Sequence, residues 1–187
     1  VYTSGNRVDV TSDCTFTDPS MSSWTVLGKK VTVNYLTFST TYNIKIFTLD
    51  SISLSGQYTS ANTTFNYGDE FSLKGITAEA TYKCSLNGSP ETIYEDITSK
   101  VSCSGYNMNS VSNSQTVTVT YDDGHDSKST TYTIKVKDVL DHISYVAGTG
   151  AKTTYKVGET FSSNGFTVYK HMKSGAQSDV TTDATFN

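Results

Sequence analysis

The stretch FNYGDEFSLKGITA at 65–78 returns as YKVGETFSSNGFTV at 155–168. Each copy runs aromatic, two residues, glycine, one residue, acid or threonine, phenylalanine, three residues, glycine, and then an alternating segment. Gly68 and Gly158 lie 90 residues apart, as do Phe71 and Phe161, Gly75 and Gly165, and Tyr42 and Tyr132 in TYNIKI and TYTIKV. VTVNY at 31 is answered by VTVTY at 117, an offset of 86, and VDVTSD, EDITSK and SDVTTD put Asp9, Asp96 and Asp179 in register at offsets of 87 and 83. A period near ninety residues indicates an array of domains rather than one fold.

The register divides the chain into a complete module at 51–138, the C-terminal part of a module at 1–50, and the N-terminal part of a further one at 139–187. A partial sandwich leaves one face of its core open, which isolated domains avoid, so the chain reads as an excerpt of a longer array. The alternative is that the tail of one subunit completes the head of the next, as in strand complementation. Val1 falls opposite His171, so residues 1–17 repeat what 171–187 already supply, and this weighs against a clean version of that alternative.

The complete module offers SISLSG, EFSLKG, ITAEATYKCS, DITSKVSCSGY, SQTVTVTYDDG and STTYTIKVK as successive strand signals. In the last two, Val117, Val119 and Tyr121, then Tyr132, Ile134 and Val136, fall on one face and threonines on the other, the period of a half-buried strand. Asp-Gly in DDG, 122–124, supplies a hairpin turn. Thirteen tyrosines and a shortage of strong helix formers also favour sheet. The expected fold class is all-β, as tandem sandwiches.

YKVGETF…NGFTV, followed by DVT, VTVTY-DG and TYTIKV, resembles the bacterial immunoglobulin-like domains of the group 3 type, with a Tyr-x-x-Gly-Asp/Glu-x-Phe corner and a glycine that starts the next strand. The resemblance covers the central module fully and both flanks in part. It assigns Tyr67, Gly68, Phe71 and Gly75, and Tyr155, Gly158, Phe161 and Gly165, to a structural motif. It implies tandem immunoglobulin-like sandwiches that act as spacers in cell-surface proteins, adhesins and extracellular enzymes. The long SLNGSPETIY loop and DPSMSSW depart from the family pattern.

Cys84 and Cys103 lie 19 residues apart and occur together only in the central module; Ser4 and Ser174, and Phe16 and Phe186, take their places in the flanks. Two readings stand: a disulfide, contributing about 3 kcal/mol for such a loop, or two buried thiols. Cys14 aligns with Val101 and Ala184 and is expected to be a small core residue. Asp122, Asp123 and Asp126 cluster in YDDGHD, and Asp138 and Asp141 flank the module boundary. Calcium needs six to eight oxygens, but the acids do not recur in the first module, so they read as turn residues and no metal or cofactor is expected. Glu70 and Glu159 read as caps of the corner turn.

His125, His142 and His171 have no catalytic spacing and no nucleophile elbow is present, so an enzyme is not expected. Lys45 and Lys135 recur on the closing strand but point to its polar face, against isopeptide chemistry. Trp24 reads as core rather than as a sugar platform, and Asn62 and Asn87 begin glycosylation sequons. The formal charge of −4 and pI near 5.2 provide no basic field for nucleic acid, and no apolar run has the length of a membrane span.

The function expected is therefore structural or adhesive: a spacer, display stalk or filament segment of an extracellular or cell-surface protein, with neighbouring modules or further copies as partners. The alternatives are a binding module whose loops, 85–95 and 105–114, hold a glycan or protein, and an accessory spacer of a secreted enzyme. The six-residue linker KDVLDH should be stiff, with Leu49, Val139 and Leu140 buried where modules meet.

Overall fold

The computed structural model describes residues 5, 7–17, 29–56, 59–86 and 89–186, with the side chains of 60, 61, 85 and 86 excepted. Trp24, Asn87 and Ser4 lie outside the described residues. Among the described residues the chain is all-β with several sheets, apart from one helical turn at Ser60–Thr63 and two short 3-10 turns at Thr11–Asp13 and Thr181–Asp183. It gathers into two compact units, one of 1–55, 77–102 and 119–130, the other of 56–76, 103–118 and 131–187.

The first unit holds two antiparallel three-stranded sheets. One is ordered β1 (Thr15–Phe16), β2 (Lys29–Tyr35), β3 (Phe38–Ile44); the other is ordered β4 (Thr48–Ser55), β6 (Thr77–Leu86), β7 (Ser89–Asp96). Long strands β9 (Ser112–Asp122) and β10 (Ser127–Lys137) run through both units. Leu49 and Ile52 of β4, Ala78 and Ala80 of β6, Ile97 just beyond β7, and Tyr121 of β9 form one buried cluster, with Leu54, Tyr82 and Val101 packed against it. This is the face-to-face packing of a β-sandwich: alternation sends every second side chain inward, and two such faces cover each other. Above the cluster the Tyr82 and Tyr121 hydroxyls meet at 3.2 Å, and burial, then that hydrogen bond, pushes the Tyr82 phenol up.

In the second unit β5 (Thr64–Asn66) lies parallel to the end of β10, pairing Thr64 with Lys135 and Asn66 with Lys137. With β8 (Ser102–Ser104) these strands make a sheet of order β5-β10-β9-β8. β11 (Leu140–Ala147), β12 (Phe166–Met172) and β13 (Gln177–Asp179) form another antiparallel sheet.

The alternation expected of the closing strands holds closely. Val117, Val119 and Val136 are fully buried, and Tyr121, Tyr132 and Ile134 nearly so. Their repeats on β2 and β3 are unevenly covered: Val31 is buried, Val33, Tyr35 and Ile44 are only half-buried, and Tyr42 is exposed. Among the described residues the 139–187 segment has a single buried apolar side chain, Val168.

Three expected elements differ. EFSLKG is not a strand; residues 69–73 are irregular and lead into a turn, because Gly68 just before it and its own Gly75 both take positive φ and interrupt any ladder. SLNGSPETIY is a hairpin rather than a loop, with β6 and β7 paired up to Leu86 and Ser89; Asn-Gly is the residue pair that a two-residue hairpin demands. The linker is shorter than six residues, since only Asp138 and Val139 separate β10 from β11. Leu140 is exposed, while Leu49 is buried in the β4 cluster rather than at a junction.

Truncating Ile97, which is completely buried, to alanine should cost about 2–5 kcal/mol. The half-exposed Val10 and Val180 at the same repeat position should cost clearly less, as read from chemical denaturation of the three variants.

Candidate functional site

The chain's most distinctive local structures are hydrogen-bonded corners that recur with the sequence. In the first, Asp69 N–H donates to Asn66 O (3.1 Å) and Gly68 sits at φ 80°, while Asn66 N–H donates to Asp69 Oδ2 (2.7 Å). In the second, Glu159 N–H donates to Lys156 O (3.1 Å), Gly158 sits at φ 88°, and Lys156 N–H donates to Glu159 Oε2 (2.7 Å). A positive φ at the third turn position calls for glycine, and the acid closes the turn on the opening N–H. That bond, then the Lys152 ammonium at 2.9 Å, holds the Glu159 carboxyl below its usual range.

Glu159 is thus a cap as expected, but in the first copy the cap is Asp69, not Glu70. The alignment puts Asp69 opposite Glu159, and only that position lies beside the turn. Tyr155 is likewise matched by Phe65, not by Tyr67. Tyr155 Oη donates to Ser162 O and accepts from Ser162 N–H, at 3.2 and 3.1 Å. Phe65 is buried and stacks on Phe71, which stacks in turn on Tyr106. Tyr67 is half-buried and donates its N–H to Lys137 O (2.7 Å), extending the parallel pairing of β5 with β10. Phe161 of the structural motif is half-exposed at 51%, packed on Tyr155, Phe166 and Phe186.

Gly75 and Gly165 each turn the chain into the next strand, at φ 83° and 81°, with Ile76 N–H bonded to Leu73 O and Phe166 N–H to Ser163 O. A Cβ on Gly165 would lie 2.4 Å from Ala151 N. Lys74 precedes Gly75 at φ 48°, and its ammonium bonds Thr64 O and lies 3.8 Å over the Phe65 ring. Opposite these turns stand Gly56 and Gly148: a Cβ on Gly56 would lie 2.8 Å from Gly75 O, which leaves it no room, and one on Gly148 would lie a tight 3.1 Å from Gly165 O.

The DVT, DIT and DVT segments form three equivalent turns. Asp9, Asp96 and Asp179 each accept from the N–H two residues on, at Thr11, Thr98 and Thr181, at 2.9 Å each. Thr98 and Thr181 hydroxyls then accept from Ala78 and Val168 N–H, and Ile97 and Val180 N–H donate to the carbonyls of those same residues. The threonine bonds hold all three aspartates below the usual carboxylate range. A further match was not read from sequence: the β4 register slips between Leu49 and Ser51, and the β11 register between Leu140 and His142, a bulge at Asp50 in one and Asp141 in the other.

At the β10–β11 boundary, Asp138 Oδ1 accepts from Val139 and Ser174 N–H, and Lys173 N–H donates to Val139 O. Beside it opens a cleft of about 520 Å³ lined by Tyr67, Asp69, Asp141, His142, His171 and Lys173. His142 and His171 face each other across β11 and β12 and stack at 4.3 Å, a pairing that only the strand register could have disclosed. Ser144 Oγ lies 2.7 Å from His171 Nε2, whereas the orienting carboxylate, Asp141, serves His142 instead. That is not the serine–histidine–carboxylate order of a nucleophilic triad.

Asp122 accepts from Gly124 N–H, and Asp123 from His125 and Asp126 N–H, so these carboxylates close the hairpin loop between β9 and β10. Among the described residues no three His, Cys, Asp or Glu side chains are arranged to hold a metal, and no helix is long and apolar enough to cross a membrane. Cys84 and Cys103 do not form the disulfide offered as one reading. Both are free, Cys84 buried in β6 and Cys103 half-buried in β8, where burial pushes its thiol up; Cys14 is also free and half-buried. Lys45 pairs with Glu91 at 2.5 Å across the exposed surface. Comparison with protein-family models, with curated proteins and with solved structures returned no match.

Alanine at Gly158, where a Cβ meets open space, should cost only the left-handed backbone, about 1–2 kcal/mol. Alanine at Gly165 should cost more, because the Ala151 backbone must also move; melting of the β11–β13 sheet by NMR reads both. A folded-state carboxylate pKa below the unfolded value near 4 adds stability above that pH, and acidification through the folded value removes it. Stability should therefore fall below about pH 4. Asp96→Asn, which keeps an acceptor but no charge, should flatten that acid limb in pH-dependent denaturation.

Proposed function

We propose that the chain is a segment of an extracellular array of bacterial immunoglobulin-like sandwiches, with modules at 1–50, 51–138 and 139–187. Its work is mechanical and spatial: spacing or display at a cell surface or in a filament, with neighbouring modules as partners and no catalytic role. The observation that carries this reading is the threefold recurrence of the Asp-x-Thr turn, together with two identically closed glycine corners. Such devices fix where strands begin, and repeating them builds the same module again.

The boundary between the second and third modules supports a stiff array. Two residues leave little slack, and Asp138 clasps the 172–175 turn through Ser174. Load on the central module would pass through β5 and β10. Because these lie parallel and are pulled from opposite ends, their hydrogen bonds, Tyr67 to Lys137 included, resist together in shear.

Pulling the chain by its ends should give one dominant unfolding event that releases about 300 Å, the extended length of some ninety residues. Release in several weak steps, with no event of that length, would contradict the reading. At the clasp, Asp138→Ala should speed protease cleavage between β10 and β11 several-fold, whereas the parent chain should be spared there.

A further inference from the structure

His142 and His171 stand where the repeat does not call for histidine. By register they take the positions of Ser51 on β4 and Thr81 on β6, which face each other in the same way. Alternation sends Ile52 and Ala80 into the central cluster and turns Ser51 and Thr81 to the other side of the sheet. The pairing of β11 with β12 repeats this: Tyr145 and Val168 share the inner side, and the two imidazoles share the outer one. The histidines therefore lie on a face that remains outside where both halves of the sandwich are present, and the same fold forms with serine and threonine in their places.

Each ring has one nitrogen engaged. Nδ1 of His142 lies 2.7 Å from Asp141 Oδ2, and Nε2 of His171 lies 2.7 Å from Ser144 Oγ. A carboxylate or hydroxyl that takes the proton side of an imidazole leaves a lone pair on the other nitrogen, the arrangement that supports metal-bound histidines. With the engaged nitrogens carrying the protons, those lone pairs are on Nε2 of His142 and Nδ1 of His171. The cleft of about 520 Å³ beside them has room for an ion with its waters, and Asp69 and Asp141 against Lys173, two acids to one base, give its wall a net negative charge.

We infer that His142 and His171 together bind a divalent transition-metal ion, Zn²⁺ or Cu²⁺, with water completing its coordination. Imidazole nitrogen selects such ions over Ca²⁺ and Mg²⁺, which take oxygen. The rings stack at an interplanar angle of 7°, so they must open for both lone pairs to meet one ion. That opening costs little, because the Cβ–Cγ torsion of histidine is broad and the His142 side chain is 58% exposed. Two protein ligands hold an ion less tightly than the four of a structural zinc centre. A bound ion ties β11 to β12 beside the Asp138 clasp. Neither the strand register nor the donor set depends on the array reading.

Titration of the full 187-residue chain with zinc chloride, followed by calorimetry and by NMR of the histidine rings, tests the site. One Zn²⁺ per chain should bind, and the ring signals of His142 and His171 should move while those of His125 stay still. His142→Ser and His171→Thr, the residues at the equivalent central positions, should each keep parental circular dichroism and weaken binding by roughly tenfold or more. His125→Ala should leave binding unchanged, and Cu²⁺ should compete for the site where Ca²⁺ does not. A parent chain that binds no Zn²⁺, binding that survives either substitution, or weak binding spread over the carboxylates and undiminished in the double variant would each overturn the inference.

Discussion

A strand that alternates valine or tyrosine with threonine makes a sheet with one face that water cannot be allowed to reach. Everything in this chain follows from how that face is covered. In the central residues the demand is met from both sides: Ile52, Ala78, Ala80 and Ile97 lie beneath Tyr121, and Val117, Val119, Ile134 and Val136 are sealed. Burial at roughly 25 cal/mol per Å² of apolar surface is the main favourable term available to a fold with so little helix. The same residue types at 1–50 and 139–187 build the same strands with much less cover, which is why Tyr42 and Ile143 are exposed where Tyr132 and Ile52 are buried.

The turns do not depend on that cover. Asp179 closes on Thr181, Glu159 on Lys156, and Gly158 takes its positive φ, using only neighbouring backbone groups. Local bonds of this kind form wherever the sequence is repeated, whether or not a second sheet is present. They fix strand entry and register, and register fixes which side chains face the core. An array can therefore be assembled from units that agree in their corners and differ in their loops.

Much of this could be read from residues alone. The 90-residue offset identified the corner glycines, and period-two alternation identified every buried position of β9 and β10. What escaped was of two kinds. Asn87-Gly88 announces a hairpin, yet the polar run around it masked β7, whose side chains are mostly exposed and so carry no apolar alternation. The Asp50 and Asp141 bulges and the stacked His142 and His171 depend on register across strands, which no local pattern encodes. The cap at Asp69 rather than Glu70 was legible in the offset of ninety, which sets Asp69 opposite Glu159. The cysteines illustrate a further limit: the joint occurrence of Cys84 and Cys103 pointed to a bridge, yet both thiols are free, one buried and the other half-buried.

Amide hydrogen exchange on the dilute chain tests the central claim most directly, because it reads cover strand by strand. Ile97 and Val180 donate equivalent hydrogen bonds, to Ala78 and Val168. If one complete sandwich is flanked by two halves, Ile97 and the amides of β9 and β10 should exchange orders of magnitude more slowly than Val180 and the amides of β2, β3, β11 and β12. Equal protection along all three repeats in the dilute monomer would contradict it.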